Sequence, residues 1–159
     1  MINLDFLESV DVFSELEDDQ LNVVREAGET REFRRGERIF EAGEKAEFLW
    51  VVLEGQVDLV WGGRLLEGGE PPVTRLSSRG TFGWSSVVPP QKYKLSAFCA
   101  SRRCRLLKVE AAQLRRQFET DSSAGYAVMS KMLAIISKRF YQVQDEIARQ
   151  RGHEIINRW

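Results

Sequence analysis

The residues best suited to chemistry gather between Gly80 and Ala97, in the run Gly-Thr-Phe-Gly-Trp-Ser-Ser-Val-Val-Pro-Pro-Gln-Lys-Tyr-Lys-Leu-Ser-Ala. Gly80 and Gly83 let the backbone turn and bring amide groups close to a ligand. Ser85 and Ser86 open a short helical turn, whose leading N–H groups have no internal partners and favour an anion. Pro89-Pro90 stops that turn, and Lys94 returns a positive charge toward it. A glycine turn, a helix start and a returning cation together make a phosphate cradle, although the same residue types also punctuate ordinary surface loops.

Other chemistries find little support. His153 is the single histidine and lies in the C-terminal tail. A metal-dependent enzyme built on a β-roll needs several His or carboxylate ligands, and a Ser–His–Asp or Cys–His arrangement needs a histidine in the body of the fold. No enzyme is expected. Cys99 and Cys104 are too few for a disulfide framework and read as two reduced thiols acting as small core residues.

The elements that must position the cradle follow from the hydrophobic pattern. With 159 residues, 43% hydrophobic and 30% charged, the chain suits one domain with a core plus one extra element. No apolar run is long enough to cross a bilayer and the N-terminus lacks a signal pattern, so a cytoplasmic protein without membrane association is expected. Three regions are expected: a helical lead-in over 1–28, a β-roll over 29–110 carrying the cradle at 80–97, and C-terminal helices over 111–159.

In the lead-in, helices are expected at 2–8 and 17–27, with Gly28 capping the second. From Thr30 to Glu110 short strands alternate with turn residues. Glu54-Gly55 reads as a tight hairpin joining Phe48–Leu53 to Gln56–Trp61, with Val57, Leu59 and Trp61 alternating. A weak strand is expected at Arg64 to Leu66, and another from Val73 to Leu76. Leu95–Ala100 and Arg105–Val109 read as the last strand pair, turning near Arg102-Arg103. The basic residues 102, 103, 105 and 108 read as charge guarding a solvated edge strand rather than as a nucleic-acid stripe. The fold class expected is mainly β, a jelly roll with short N-terminal helices and a long C-terminal dimerisation helix.

That last helix begins near Asp121-Ser122-Ser123. Tyr126, Met129, Leu133, Ile136, Phe140, Val143 and Ile147 follow spacings of three and four, an unbroken heptad seam suited to a parallel copy of itself. A second stripe, Val128, Met132 and Ile135, is left for the domain's own roll. Charge is uneven: residues 1–70 hold 7 Lys/Arg against 18 Asp/Glu, and residues 71–159 hold 16 against 6. The two halves are expected to face each other, and the total of −1 does not favour general nucleic-acid binding.

The cradle resembles the phosphate-binding cassette of the cyclic nucleotide-binding domains of cAMP-receptor-type (Crp/Fnr-like) regulators, kinase regulatory subunits and nucleotide-gated channels. Phe82-Gly83 matches its opening and Lys94-Leu95-Ser96-Ala97 its close. Phe13 to Leu21, Arg35-Gly36-Glu37-Arg38-Ile39-Phe40 with Gly43, and Leu49 to Val57 around Glu54-Gly55 follow the family's lead-in helix and strand pattern over nearly the whole chain. The resemblance implies the jelly roll, a homodimer through the last helix, and a ligand site of Phe82, Gly83, Trp84, Ser85, Ser86, Lys94, Leu95 and Ser96, with Val143 and Gln144 at the place on the last helix that reaches the base. It also implies the ligand class, a cyclic nucleotide or a related anionic nucleotide; no other cofactor and no metal are indicated.

Three positions depart from the family's pattern. Trp84 stands where the family has the Glu that accepts a ribose hydroxyl, and an indole has a donor but no acceptor. Lys94 stands for the Arg that grips the phosphate, without its two-pronged geometry. Leu95 stands for the neighbouring hydroxyl. The expected function is a stand-alone regulatory, signal-transducing ligand-binding module for an anionic small molecule other than cAMP, read out by a protein effector. The alternative left open is a ligand-free dimeric scaffold with Trp84 and Leu95 filling the former pocket. No helix-turn-helix follows the last helix in this sequence, so direct DNA binding is not expected.

Overall fold

Phe48–Glu54 is the most apolar strand of the chain, and its burial explains the architecture. In the computed structural model, which describes residues 2–62 and 71–156 and only the backbone of 153–156, Leu49 to Leu53 are all buried. A strand alternates faces with period two, so continuous burial requires cover on both sides. Trp50 and Val52 face a core enclosed by the roll, with Phe40, Val57, Leu59, Phe82, Tyr93, Ala97 and Leu106. Leu49, Val51 and Leu53 face a second core, with Leu7, Val10, Phe13, Leu21, Val24, Leu114, Val128 and Met132 from the helices. Each such side chain contributes about 1.5–3 kcal/mol on full burial.

The elements are α1 (Leu4–Glu8), α2 (Asp18–Glu26), β1 (Gly28–Arg34), β2 (Arg38–Phe40), β3 (Phe48–Glu54), β4 (Val57–Val60), β5 (Thr74–Leu76), β6 (Thr81–Phe82), β7 (Ser96–Cys99), β8 (Arg103–Glu110), α3 (Ala111–Thr120) and α4 (Ser122–Ile156). Two four-stranded antiparallel sheets, ordered β1-β8-β3-β6 and β2-β7-β4-β5, form the roll. The jelly roll with short N-terminal helices and a long C-terminal helix is the expected fold class.

Several local expectations are corrected. β3 and β4 lie in different sheets, so Glu54-Gly55 is a corner and not a hairpin turn. The same holds for β7 and β8, which are consecutive in sequence but unpaired. β8 is no edge strand: it hydrogen-bonds β1 on one side and β3 on the other. Its charges are explained instead by cross-strand pairs, Arg105 with Glu54 at 2.7 Å and Lys108 with Glu29 at 3.4 Å. Gly28 does not cap α2. Ala27 ends that helix in a right-handed conformation, and Gly28 already pairs with Val109 as the first residue of β1. Trp61 falls beyond β4 and is exposed. The strand expected at Arg64 to Leu66 lies outside the described residues.

The acidic and basic halves do meet, through Arg103–Glu32, Arg75–Asp58 and the pairs of Lys131 with Asp11 and Glu15. These pairs are largely solvent-exposed and each adds little stability.

The helices are tied together by polar side chains. Glu17 and Gln20 form a reciprocal capping box at the start of α2. The Gln20 amide also donates to Asp121 at 2.7 Å, while Asp121 accepts from the Ser123 hydroxyl and the Ala124 amide at the start of α4. These hydrogen bonds, that of Gln20 foremost, hold the Asp121 carboxyl below its usual range. A depressed carboxylate stabilises the fold above its unfolded value and loses that contribution as pH falls through the folded one. The thermal midpoint of wild type should therefore fall more steeply below about pH 4 than that of Asp121→Asn, a comparison that calorimetry makes directly.

Cys99 and Cys104 are free and buried in the roll core. The Cys99 thiol is pushed up to about 12, first by burial and next by the neighbouring Cys104 sulfur. Alkylation at pH 8 should run at least about a hundredfold slower in the native protein than in urea, because the thiolate is the reacting form.

Candidate functional site

The cradle residues adopt the turn that their types suggest. Gly83 has φ +79°, a left-handed conformation, and leads into a 3-10 turn at Trp84–Ser86. A Cβ at Gly83 would stand 3.0 Å from both the Phe48 carbonyl oxygen and the Trp50 ring, so glycine is required by backbone and space together. The amides of Ser86 and Val87 bond back to Gly83 and Trp84 at 3.0 and 3.1 Å. The leading amides of Trp84 and Ser85 stand ahead of those bonds, as at any helix start. Arg115 of α3 donates to the Ser86 carbonyl and fixes the far side of the turn.

A cavity of about 120 Å³ opens beside this turn, lined by Phe40, Leu59, Gly83, Trp84, Ser85, Tyr93, Lys94, Leu95 and Arg139. An adjoining trough of about 290 Å³ shares Leu59, Leu95 and Arg139 and adds Val73, Thr74, Gln142, Val143 and Glu146. The smaller space alone lies below the range of small-molecule sites, and the two together reach it. Tyr93 forms part of the wall. Its ring stacks on Phe40 at 3.7 Å, its hydroxyl donates to the Phe48 carbonyl at 2.8 Å, and burial pushes its pKa up.

The structure brings Gly83, Trp84, Ser85, Lys94 and Leu95 around one cavity and leaves the other expected site residues elsewhere. Phe82 is wholly buried in the roll core beside Trp50 and Phe40. The Ser86 hydroxyl donates to Gly83 at 2.7 Å. The Ser96 hydroxyl is buried, donating to the Gly62 carbonyl and accepting from the Ala42 amide at 2.9 Å, so it braces the roll. Gln144 is exposed and lines neither space; Gln142 and Val143, on the adjacent face of α4, line the trough. Trp84 is partly buried, borders the cavity and packs against the helical core. Its indole N–H is buried without an acceptor among the described residues. An orphaned buried donor costs about 1–3 kcal/mol.

Sequence reasoning missed Arg139. It projects from α4 into both spaces, is partly buried, and forms no ion pair among the described residues. Burial lowers its pKa. The signal was present in the helix periodicity: 139 is seven residues beyond Met132, on the face turned toward the roll.

A glycine-led turn, a returning lysine and a helix-borne arginine meet around one cavity of a β-roll. The chain belongs to the cyclic nucleotide-binding domain family, whose profile matches residues 30–121. Among solved structures it is similar to a protein of Geobacter metallireducens GS-15 assigned to cyclic nucleotide binding (28% identity, TM-score 0.76, 88% of this chain and 99% of that one). It is also similar to the sensor domain of the transcriptional regulator DNR from Pseudomonas aeruginosa (22%, 0.68, 89% and 91%). A third is the regulatory subunit of a cAMP-independent protein kinase A from Trypanosoma brucei (23%, 0.66, 89% and 49%). The last two show likeness of fold alone. No curated protein sequence matches the chain. Among the described residues no helix is long and apolar enough to cross a membrane. Nor is any group of three His, Cys, Asp or Glu among them placed to hold a metal.

Proposed function

We propose that the protein is a regulatory module that senses an anionic, nucleotide-like small molecule other than cAMP at the Gly83 turn and reports occupancy through α4. One observation carries this reading. Lys94 and Arg139 line the same cavity, and neither has a carboxylate partner among the described residues. Two uncompensated cations beside leading amides make a site for an anion.

Arg139 supplies the planar fork that Lys94 lacks. The anion would bridge the turn and the helix, while an apolar body lies along Leu59, Leu95 and Val143. Occupancy then favours the α4 orientation that keeps Arg139 in the cavity, and a protein effector reads that population. Val143 lines the trough and also belongs to the exposed heptad stripe, so ligand and a second copy of α4 share one helix segment.

Calorimetric titration with cyclic mono- and dinucleotides tests the reading. A cyclic nucleotide other than cAMP should bind, and Arg139→Gln and Lys94→Gln should each weaken it about tenfold or more, as expected for loss of a charged hydrogen bond. No heat with any nucleotide leaves the ligand-free scaffold, which the small cavity and the packing of Leu95 on the roll core favour. In that case Trp84→Glu should lower the melting temperature without creating binding.

A further inference from the structure

A second group of cations lies at the other end of β7 from Lys94. Arg34 and Arg35 leave β1, Arg102 and Arg103 enter β8, and the four line one open concavity of about 820 Å³. Arg34 and Arg103 are directly opposed in the β1–β8 register. The Arg35 amide donates to the Arg102 carbonyl at 3.3 Å, so the second pair is tied alongside the first. Like charges placed opposite each other across a ladder are destabilising.

The fold offers little in return. All four side chains are exposed, and β8 is a central strand that needs no charged guard. Further along β8 the bases are neutralised, Arg105 by Glu54 and Lys108 by Glu29. At this tip only Arg103 has an ion-pair partner among the described residues, Glu32 at 2.6 Å. The nearby Glu37 carboxylate is engaged by the Arg34 backbone amide at 2.6 Å. Arg34, Arg35 and Arg102 therefore line one hollow without an ion pair among the described residues.

We propose that this concavity is a second anion site, distinct from the Gly83 cavity, that binds a compact polyvalent oxyanion of the oligophosphate class. Guanidinium forks pair with phosphate oxygens two at a time, and several around a hollow match successive phosphates. The compactness favours a short, densely charged chain over an extended acidic peptide. All four arginines come from two turns joined by backbone hydrogen bonds, including Gly36 N–H to the Cys99 carbonyl at 2.9 Å. Because the groups are exposed, binding weakens steeply with added salt.

The test is calorimetric titration of the full chain with inorganic tripolyphosphate in low-salt buffer, with orthophosphate and a short polyglutamate peptide at matched ionic strength. Tripolyphosphate should bind about tenfold or more tightly than either comparator. The double variant Arg35→Gln/Arg102→Gln should lose about tenfold or more of that affinity, while Lys94→Gln/Arg139→Gln retains it. Without polyanion, the arginine variant should melt at or above the wild-type temperature, because like-charge repulsion is relieved; this separates lost binding from lost folding. The proposal is overturned if tripolyphosphate does not bind, if the arginine variant binds it as wild type does, or if the Lys94/Arg139 variant is the one that loses it. Tighter binding of polyglutamate would overturn it too, in favour of a carboxylate-bearing partner.

Discussion

Gly55→Ala should destabilise the protein by about 3 kcal/mol, whereas Gly43→Ala should cost only about 1 kcal/mol. Both glycines have left-handed backbones, with φ +89° at Gly55 and +93° at Gly43, so both substitutions carry similar torsional strain. They differ in what the new methyl would meet. At Gly43 nothing lies within 4 Å. At Gly55 a Cβ would stand 2.4 Å from the Arg103 carbonyl oxygen and 3.0 Å from the Cys104 Cα, which are backbone atoms that cannot rotate away. The position matters because Gly55 is where the chain passes from one sheet to the other, between β3 and β4. Opening it would disturb Gln56, whose amide donates to Ser101 and whose carbonyl accepts from the Ala100 amide and the Cys104 thiol. Against a typical total of about 5–15 kcal/mol, a loss of 3 kcal/mol is large. Urea denaturation measures the difference as a shift in midpoint at unchanged slope. Equal losses at the two positions would show that backbone strain alone governs them, and the close approach at this corner would then contribute nothing.

That corner also marks where the sequence stops being legible. Apolar runs in β3 and β7 and alternation in β4 and β8 mark strands, because side-chain type and period are local properties. Which strands pair is not local. A glycine at positive φ serves a hairpin and a sheet-to-sheet corner equally well, so Glu54-Gly55 reads as the commoner hairpin until partners are known. The edge-strand reading of β8 failed for the same reason: Arg103, Arg105 and Lys108 look like edge charges, and only the register shows Glu32, Glu54 and Glu29 on the neighbouring strands. The cradle was legible at Gly83, Trp84, Ser85, Lys94 and Leu95, which are close in sequence and meet around one turn. The hydroxyls of Ser86 and Ser96 brace carbonyls, and a hydroxyl beside a binding motif looks the same in sequence whether it faces a ligand or braces a carbonyl. Arg139 was not legible from the motif, since it lies 45 residues from Lys94 in the chain and arrives only because α4 folds back over the roll.

The double variant Leu133→Glu/Phe140→Glu should halve the mass of the protein in solution while leaving the roll folded. α4 carries two apolar faces with different fates. Val128 and Met132 are buried against the domain's own helices and sheet, with Ile135 packed beside them, and so is Met129, which the sequence pattern assigns to the seam. On the other face Tyr126, Leu133, Ile136, Phe140, Val143 and Ile147 remain exposed, between 44% and 78%. An apolar stripe extending about 30 Å along a helix is far more than a water-facing surface ordinarily carries. From Leu133 onward its spacing of three and four residues, with Tyr126 a full heptad earlier, is the repeat that two identical parallel helices bury by supercoiling, so the partner predicted here is a second copy of this chain. Wild type should therefore sediment at twice 18.3 kDa, and the double variant at 18.3 kDa with its thermal unfolding retained. Glutamates at both positions would stack four carboxylates into one seam, and neither side chain contacts the protein's own core, so association is lost without loss of the fold. Val128→Glu should do the reverse and unfold the domain, because that side chain is 1% exposed. A wild-type mass of 18.3 kDa at every concentration, or a variant that still sediments as a pair, would remove the second copy from the mechanism. The proposed ligand sensing would then have to act through the angle of a solitary helix, with Arg139 and Val143 responding to the cavity but not to a neighbour.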